Sequence, residues 1–117
     1  MARLSTHVLD TSRGAPAAGI PVELHFLDGG QRRLLATSVT NADGRTDAPL
    51  MIGEAFHVGT YELVFDVGAY FRSIATTTAD PPFLDIVPIR FTIAESDGHY
   101  HVPLLVSPWS YSTYRGS

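Results

Sequence analysis

A two-residue alternation of apolar and polar side chains, recurring in short segments, is the feature that most constrains the fold of this chain. It is clearest in residues 20–27, 61–67, 87–93 and 100–106. Because successive side chains of a β-strand point to opposite faces, this period is that of a half-buried strand. Glycine-containing tight turns separate the segments: Asp28-Gly29-Gly30, Asn41-Ala42-Asp43-Gly44 and Ser96-Asp97-Gly98.

The alternating segments predict an all-β chain with about seven or eight short strands. Further strands are expected over residues 34–39 and from about Ser110 onward. Residues 66–77 alone favour a helix, which Gly68 and the following threonines limit to about two turns. Regular turns between short strands are typical of an antiparallel β-sandwich. At 117 residues, we expect a single domain over residues 1–117.

The composition argues against several classes of function. The net charge is −4 without a basic run, so no nucleic-acid partner is expected. No apolar run resembles a signal peptide or a membrane span, which predicts a cytoplasmic protein without a membrane partner. Cysteine is absent, which excludes disulfides, a thiol nucleophile and thiolate metal sites.

Five histidines are the unusual ingredient of this chain. His99 and His101 are two residues apart, so both should lie on the outer face of their strand, opposite the apolar Tyr100 and Val102. His7 should likewise share an outer face with Ser5 and Leu9, because Val8 points to the core. Histidines mixed with leucine and proline on an outer face suggest that another subunit covers it. For His25 and His57 we expect solvated or singly hydrogen-bonded side chains.

Two chemical interpretations of these residues remain open. The His99-x-His101 pair could supply two imidazoles to zinc with His7 as a third, although this spacing alone is a weak signal. Alternatively, Arg45, which follows the Asp43-Gly44 turn, could present its planar guanidinium to an anionic substrate beside neutral histidines. Carboxylates are scattered singly, and Ser5 lacks the context of a nucleophilic serine.

Several segments spread along the whole chain carry a resemblance to a known family. They are Leu4–Asp10, Gly19–Val22, Asn41–Arg45, His99–Leu105 and Ser107–Ser117. In these segments the chain resembles the 5-hydroxyisourate hydrolases of the transthyretin-like family. The terminal Tyr114-Arg115-Gly116-Ser117 is the most specific element, because it distinguishes the hydrolases from transthyretin itself.

The resemblance implies a transthyretin-like sandwich of two four-stranded sheets, assembled as a homotetramer with active sites at a subunit interface. It implies hydrolysis of 5-hydroxyisourate to 2-oxo-4-hydroxy-4-carboxy-5-ureidoimidazoline in urate degradation, without a cofactor or a metal. His7, Arg45 and His101 would line the site with residues 114–117. His7 or His101 would be the base, and Arg45 would hold the substrate anion and the oxyanion. Tyr114 would bond a substrate oxygen, and Ser117 would orient water or a histidine.

Three alternatives to this activity are kept. A non-catalytic small-molecule carrier of the transthyretin type shares the fold, and fold does not determine function. A sandwich that serves adhesion would be monomeric and would show no turnover. A zinc-dependent hydrolase would lose activity with a chelator.

Overall fold

The computed structural model describes residues 2–74 and 81–116, which form two β-sheets and one α-helix. A single 3₁₀ turn spans Gly53–Ala55. The regular elements are β1 (Arg3–Asp10), β2 (Ala15–Pro16), β3 (Pro21–Asp28), β4 (Gln31–Val39), β5 (Met51–Ile52), β6 (Gly59–Asp66), α1 (Val67–Ile74), β7 (Ile86–Ile93), β8 (His99–Val106) and β9 (Tyr111–Thr113).

The strands are arranged as the predicted two-sheet sandwich, with two differences in detail. The first sheet has the order β2-β1-β8-β9, and the short β5 also pairs with β1 and adds a fifth strand. The second sheet has the order β4-β3-β6-β7 and is antiparallel throughout. In the first sheet β1 and β8 are parallel. Parallel and antiparallel strands have the same side-chain period of two, so the sequence pattern could not reveal that this pair is parallel.

The core lies between the two sheets and is built from the inward-facing residues of the alternating segments. Leu4 and Val8 of β1, Leu63 and Phe65 of β6, and Leu104 of β8 are fully buried. Burying a side chain of this size contributes roughly 1.5–3 kcal/mol. The predicted apolar faces are therefore the ones that stabilise the sandwich.

Helix α1 is attached to the first sheet through a buried carboxylate at the end of β1. Asp10 is completely buried, and Tyr70 of α1 donates its hydroxyl to Asp10 Oδ2 at 2.7 Å. The backbone N–H of Ser12 donates to Asp10 Oδ1 at 3.0 Å, and Arg13 donates to the Tyr70 hydroxyl at 3.2 Å. The helix was expected over residues 66–77, of which 75–77 lie outside the described residues. The network fixes the end of the strand that also carries His7.

The outer face of the second sheet carries a buried charge with two arginine partners. Glu62 of β6 accepts hydrogen bonds from Arg32 and, at 3.2 Å, from Nε of Arg90. Burial opposes ionisation of Glu62, but the bonds and charges of the two arginines outweigh it and lower its pKa. These pairs connect β4, β6 and β7.

Candidate active site

The parallel register of β1 and β8 brings the sequence-predicted histidines onto one face of the first sheet. Ser5 lies opposite His101, and His7 lies opposite Pro103. Ser5, His7, Leu9 and His101 are all partly exposed, whereas the residues between them on each strand are buried. The outer-face placement predicted for His7 and His101 is therefore what the structure shows.

Ser5 and the C-terminal backbone contact His101 on two sides. The hydroxyl of Ser5 lies 2.8 Å from Nδ1, within hydrogen-bond distance. On another side, the backbone N–H of Gly116 donates to the carbonyl oxygen of His101 at 2.7 Å. A Cβ at Gly116 would lie only 2.6 Å from Cδ2 of the ring, so the C-terminal backbone lies directly against the ring edge. Neither of these contacts between described residues involves Nε2.

A tight turn holds Arg45 beside His7. The backbones of the two residues form an isolated antiparallel bridge, and Val8 N–H donates to the carbonyl oxygen of Gly44 at 2.8 Å. The side-chain oxygen of Asn41 accepts the backbone N–H of Arg45 at 3.2 Å. Gly44 has a φ of 76°, and a Cβ there would collide with the carbonyl oxygen of Val8 and crowd the His7 ring. Glycine is required here because of this close approach.

The surroundings of His101 favour its neutral form. Burial of the ring is the largest cause that lowers the pKa of His101. The nearby charges of Arg45, His7 and Arg3 lower it further. A cavity of about 140 Å³ opens at this ring, lined by Arg3, Ser5, His99, Tyr100 and His101. A neutral imidazole beside arginine side chains suits a ligand that is an anion and that loses or gains a proton.

Only part of the C-terminal segment lies near the cluster formed by His7, Arg45 and His101. Arg115 donates to the carbonyl oxygen of His99 at 3.2 Å, and its guanidinium lies 4.1 Å from the centre of the Tyr100 ring. Tyr114 is 59% exposed and lines a different cavity of about 200 Å³, next to residues of β7. Ser117 lies outside the described residues. The single chain thus assembles His7, Arg45, His101 and Gly116, and places Tyr114 elsewhere.

The other histidines lie apart from the cluster or at its margin. His25 is buried on β3 and its Nε2 bonds a Glu23 carboxylate oxygen at 2.9 Å, while His57 is exposed. His99 is exposed at the edge of the 140 Å³ cavity. Within residues 2–74 and 81–116, no three His, Cys, Asp or Glu side chains are grouped so as to hold a metal ion. In the same residues no helix has the length and apolar character needed to cross a membrane.

Comparison with known proteins identifies the family of this chain. The sequence profile of the HIUase/Transthyretin family matches residues 4–116. The chain belongs to this family.

Within the family, a 5-hydroxyisourate hydrolase 2 from Rhizobium meliloti (strain 1021) is 59% identical over 115 residues, covering 98% of this chain and 96% of that protein. The structure of an (S)-allantoin synthase superimposes with a TM-score of 0.93 at 50% identity; the match covers 99% of this chain and 44% of that chain. Transthyretin from Sparus aurata has a TM-score of 0.86 at 31% identity, with 97% and 96% of the two chains covered. The chain is thus more similar in sequence to the hydrolase than to this transthyretin.

Sequence reasoning did not find every residue that this family member places at the cluster. Ser5 was predicted on the face of His7 and was considered as a nucleophile, but its contact with His101 across the parallel strand pair was not predicted. Arg3 lines the cavity and was not considered. The alternation does place Arg3 and Ser5 on the face of His7, but their proximity to His101 depends on the register of β1 and β8.

Proposed function

We propose that this chain is a 5-hydroxyisourate hydrolase, which opens the ring of its substrate with water to give 2-oxo-4-hydroxy-4-carboxy-5-ureidoimidazoline in urate degradation. The observation that carries the proposal is the placement of His101, whose pKa is lowered, on the sheet face of His7 and near Arg45. The 59% identity to a 5-hydroxyisourate hydrolase over nearly the full length supports the same substrate. We propose a single-domain cytoplasmic enzyme.

In the mechanism that we propose, Nε2 of neutral His101 takes a proton from a water molecule as its oxygen adds to a ring carbonyl carbon. The guanidinium of Arg45 faces the substrate anion and the oxyanion that develops on the carbonyl oxygen. When the intermediate collapses, the C–N bond of the ring breaks and the leaving nitrogen takes the proton back from His101. His7 shares the face with His101 and contributes a second imidazole to substrate binding and proton transfer.

A transthyretin-type carrier is the competing function on the same fold. The 31% identity to the Sparus aurata protein supports the shared sandwich. The identity to the Rhizobium meliloti hydrolase is nearly twofold higher over a similar share of the chain. The polar cluster of Arg3, Ser5, Arg45 and His101 also fits acid–base chemistry better than storage of an apolar ligand.

The decisive experiment is a spectroscopic assay with 5-hydroxyisourate generated freshly from urate. The rate of its disappearance is measured with and without the purified protein and is corrected for spontaneous decay. A rate proportional to enzyme concentration that saturates with substrate supports the proposal. Saturable binding of 5-hydroxyisourate without accelerated decay would instead favour the carrier function.

The first prediction concerns pH. A base must be neutral to accept a proton, and the pKa of His101 is lowered from its ordinary value of 6.5. We therefore expect kcat/KM to be highest near pH 8 and to fall with a midpoint below about pH 6.5, as His101 becomes protonated. The measurement is a pH–rate profile, with particle size checked at each pH. A fall centred above pH 7 would contradict His101 as the base.

The second prediction concerns assembly, since we propose a homotetramer with sites at a subunit interface. The outer face of the first sheet carries half-buried Leu9 and Leu105 next to the histidines, which favours cover by another subunit. Tyr114 of one subunit, which lies away from His101 of its own chain, would then complete the site of another. Light scattering at micromolar concentration should give a mass of about four chains. A fully active monomer would contradict the proposal that the site needs a second subunit.

A further inference from the structure

The side chain of Ser5 is the one polar group on β1 that directly contacts the imidazole of His101. Its Oγ lies 2.8 Å from Nδ1, and the two residues are directly opposite each other in the parallel pair of β1 and β8. Both side chains are partly exposed on the outer face. A contact between two central strands of a sheet fixes the ring more accurately than a contact from a loop would.

The partner of Nδ1 determines what Nε2 can do. A neutral imidazole carries one proton, and the hydrogen bond made by one ring nitrogen selects which nitrogen holds it. A serine hydroxyl can either donate or accept, so it is compatible with both tautomers. If Nε2 is to take a proton from water, Nδ1 must carry the ring proton and the Ser5 oxygen must accept it. The 2.8 Å contact then both orients the ring and selects the basic nitrogen.

The neighbouring residue on β1 shows what a purely structural hydroxyl does in the same strand pair. Thr6 is buried, and its Oγ1 donates to the carbonyl oxygen of Val102 at 2.7 Å. That bond joins the same two strands on the core side. Ser5 lies on the opposite face and bonds a side chain that titrates. Thr6 therefore provides a matched control for loss of one hydroxyl that bridges β1 and β8.

We propose that Ser5 is a positioning residue of the hydrolytic site: its hydroxyl accepts the Nδ1 proton of His101 and thereby presents Nε2 as the base. The catalytic role of Ser5 rests on the proposed function, whereas the tautomer of His101 can be observed without substrate. Ser5 itself does not contact the reacting atoms in this role. It acts through His101.

The test combines nitrogen NMR of the His101 ring with kinetics in Ser5→Ala, Ser5→Thr and Thr6→Val. At pH 8 the unaltered protein should show the proton on Nδ1, and Ser5→Ala should show a mixture of tautomers. Loss of one such bond should lower kcat roughly threefold to tenfold while KM changes little. Ser5→Thr keeps a hydroxyl and should restore both the tautomer and kcat. Thr6→Val should lower the melting temperature without altering the tautomer.

The tautomer and kcat together distinguish an error in the role of Ser5 from an error in the proposed function. A proton on Nε2 in the unaltered protein, or an unchanged tautomer and kcat in Ser5→Ala, would overturn the role of Ser5. A tautomer that depends on Ser5 in a protein that does not hydrolyse 5-hydroxyisourate would support the hydrogen-bond assignment and overturn the hydrolase proposal. A loss of kcat in Thr6→Val equal to that in Ser5→Ala would show that the effect is only structural.

Discussion

Replacing His101 by alanine is expected to lower kcat/KM for 5-hydroxyisourate by roughly 10²–10⁴-fold, the usual contribution of a positioned acid–base group. His101 is the histidine whose pKa is lowered, whose Nδ1 has a partner and whose ring edge lies against Gly116. The variant should fold, because the side chain is partly exposed on the outer face and does not belong to the core. Initial rates and the melting temperature, measured on the same preparation, check both expectations.

His7→Ala and His57→Ala complete this series. His7 lies on the face of His101 next to Arg45, so its loss should also be costly. His57 is exposed outside the cluster, and its alanine variant should keep the parental activity. His25 is a poorer control because its side chain is buried and bonded to Glu23. Equal activities in the three alanine variants of His7, His57 and His101 would contradict the site.

The sequence predicted which face of a strand each residue lies on, but it could not predict which residues are neighbours on adjacent strands. The period of two correctly placed His7 and His101 on outer faces, and the Asp43-Gly44 dipeptide correctly indicated the turn that carries Arg45. A period of two says nothing about strand order or direction. The contact between Ser5 and His101 follows from the parallel pairing of β1 with β8, which only the structure reveals.

Pairing of charges was equally invisible in the sequence. The acidic residues are scattered singly along the chain, yet Glu62 is buried with Arg32 and Arg90 from two neighbouring strands. Because the pKa of Glu62 is lowered in the folded chain, its contribution to stability is present above its ordinary value of 4.5 and is lost as pH falls through the lowered pKa. These partners are 30 and 28 positions apart along the chain, so only the register of the strands reveals their contacts.

The C-terminal motif was the most specific part of the resemblance and is the part that the single chain explains least. Tyr114 lies beside a second cavity, and Ser117 lies outside the described residues. By contrast, the backbone N–H of Gly116 donates to the carbonyl oxygen of His101, and the guanidinium of Arg115 donates to the carbonyl oxygen of His99. The residues of a family motif act together, but at a subunit interface they can come from different chains. A single chain then does not show the complete site.

Deleting Arg115–Ser117 is expected to lower kcat/KM on the order of 10²-fold, because a displaced catalytic group loses its near-attack geometry. A generic chain end frays and tolerates truncation unless it is tied down. Here the Gly116 N–H donates to the His101 carbonyl oxygen at 2.7 Å, and Arg115 lies over the Tyr100 ring. The deletion removes both contacts and uncovers one edge of the His101 ring. Melting temperature should change modestly, because neither Arg115 nor Gly116 belongs to the buried core.

Gly116→Ala probes the same contact with one added carbon. Its Cβ would lie 2.6 Å from Cδ2 of His101, so either the ring or the C-terminal backbone must shift. We expect kcat to fall while the melting temperature stays near that of the unaltered protein. Thr37→Ala on the exposed strand β4 of the second sheet is the control and should be silent in both measurements. Full activity in both the truncated protein and Gly116→Ala would show that the segment is an ordinary tail.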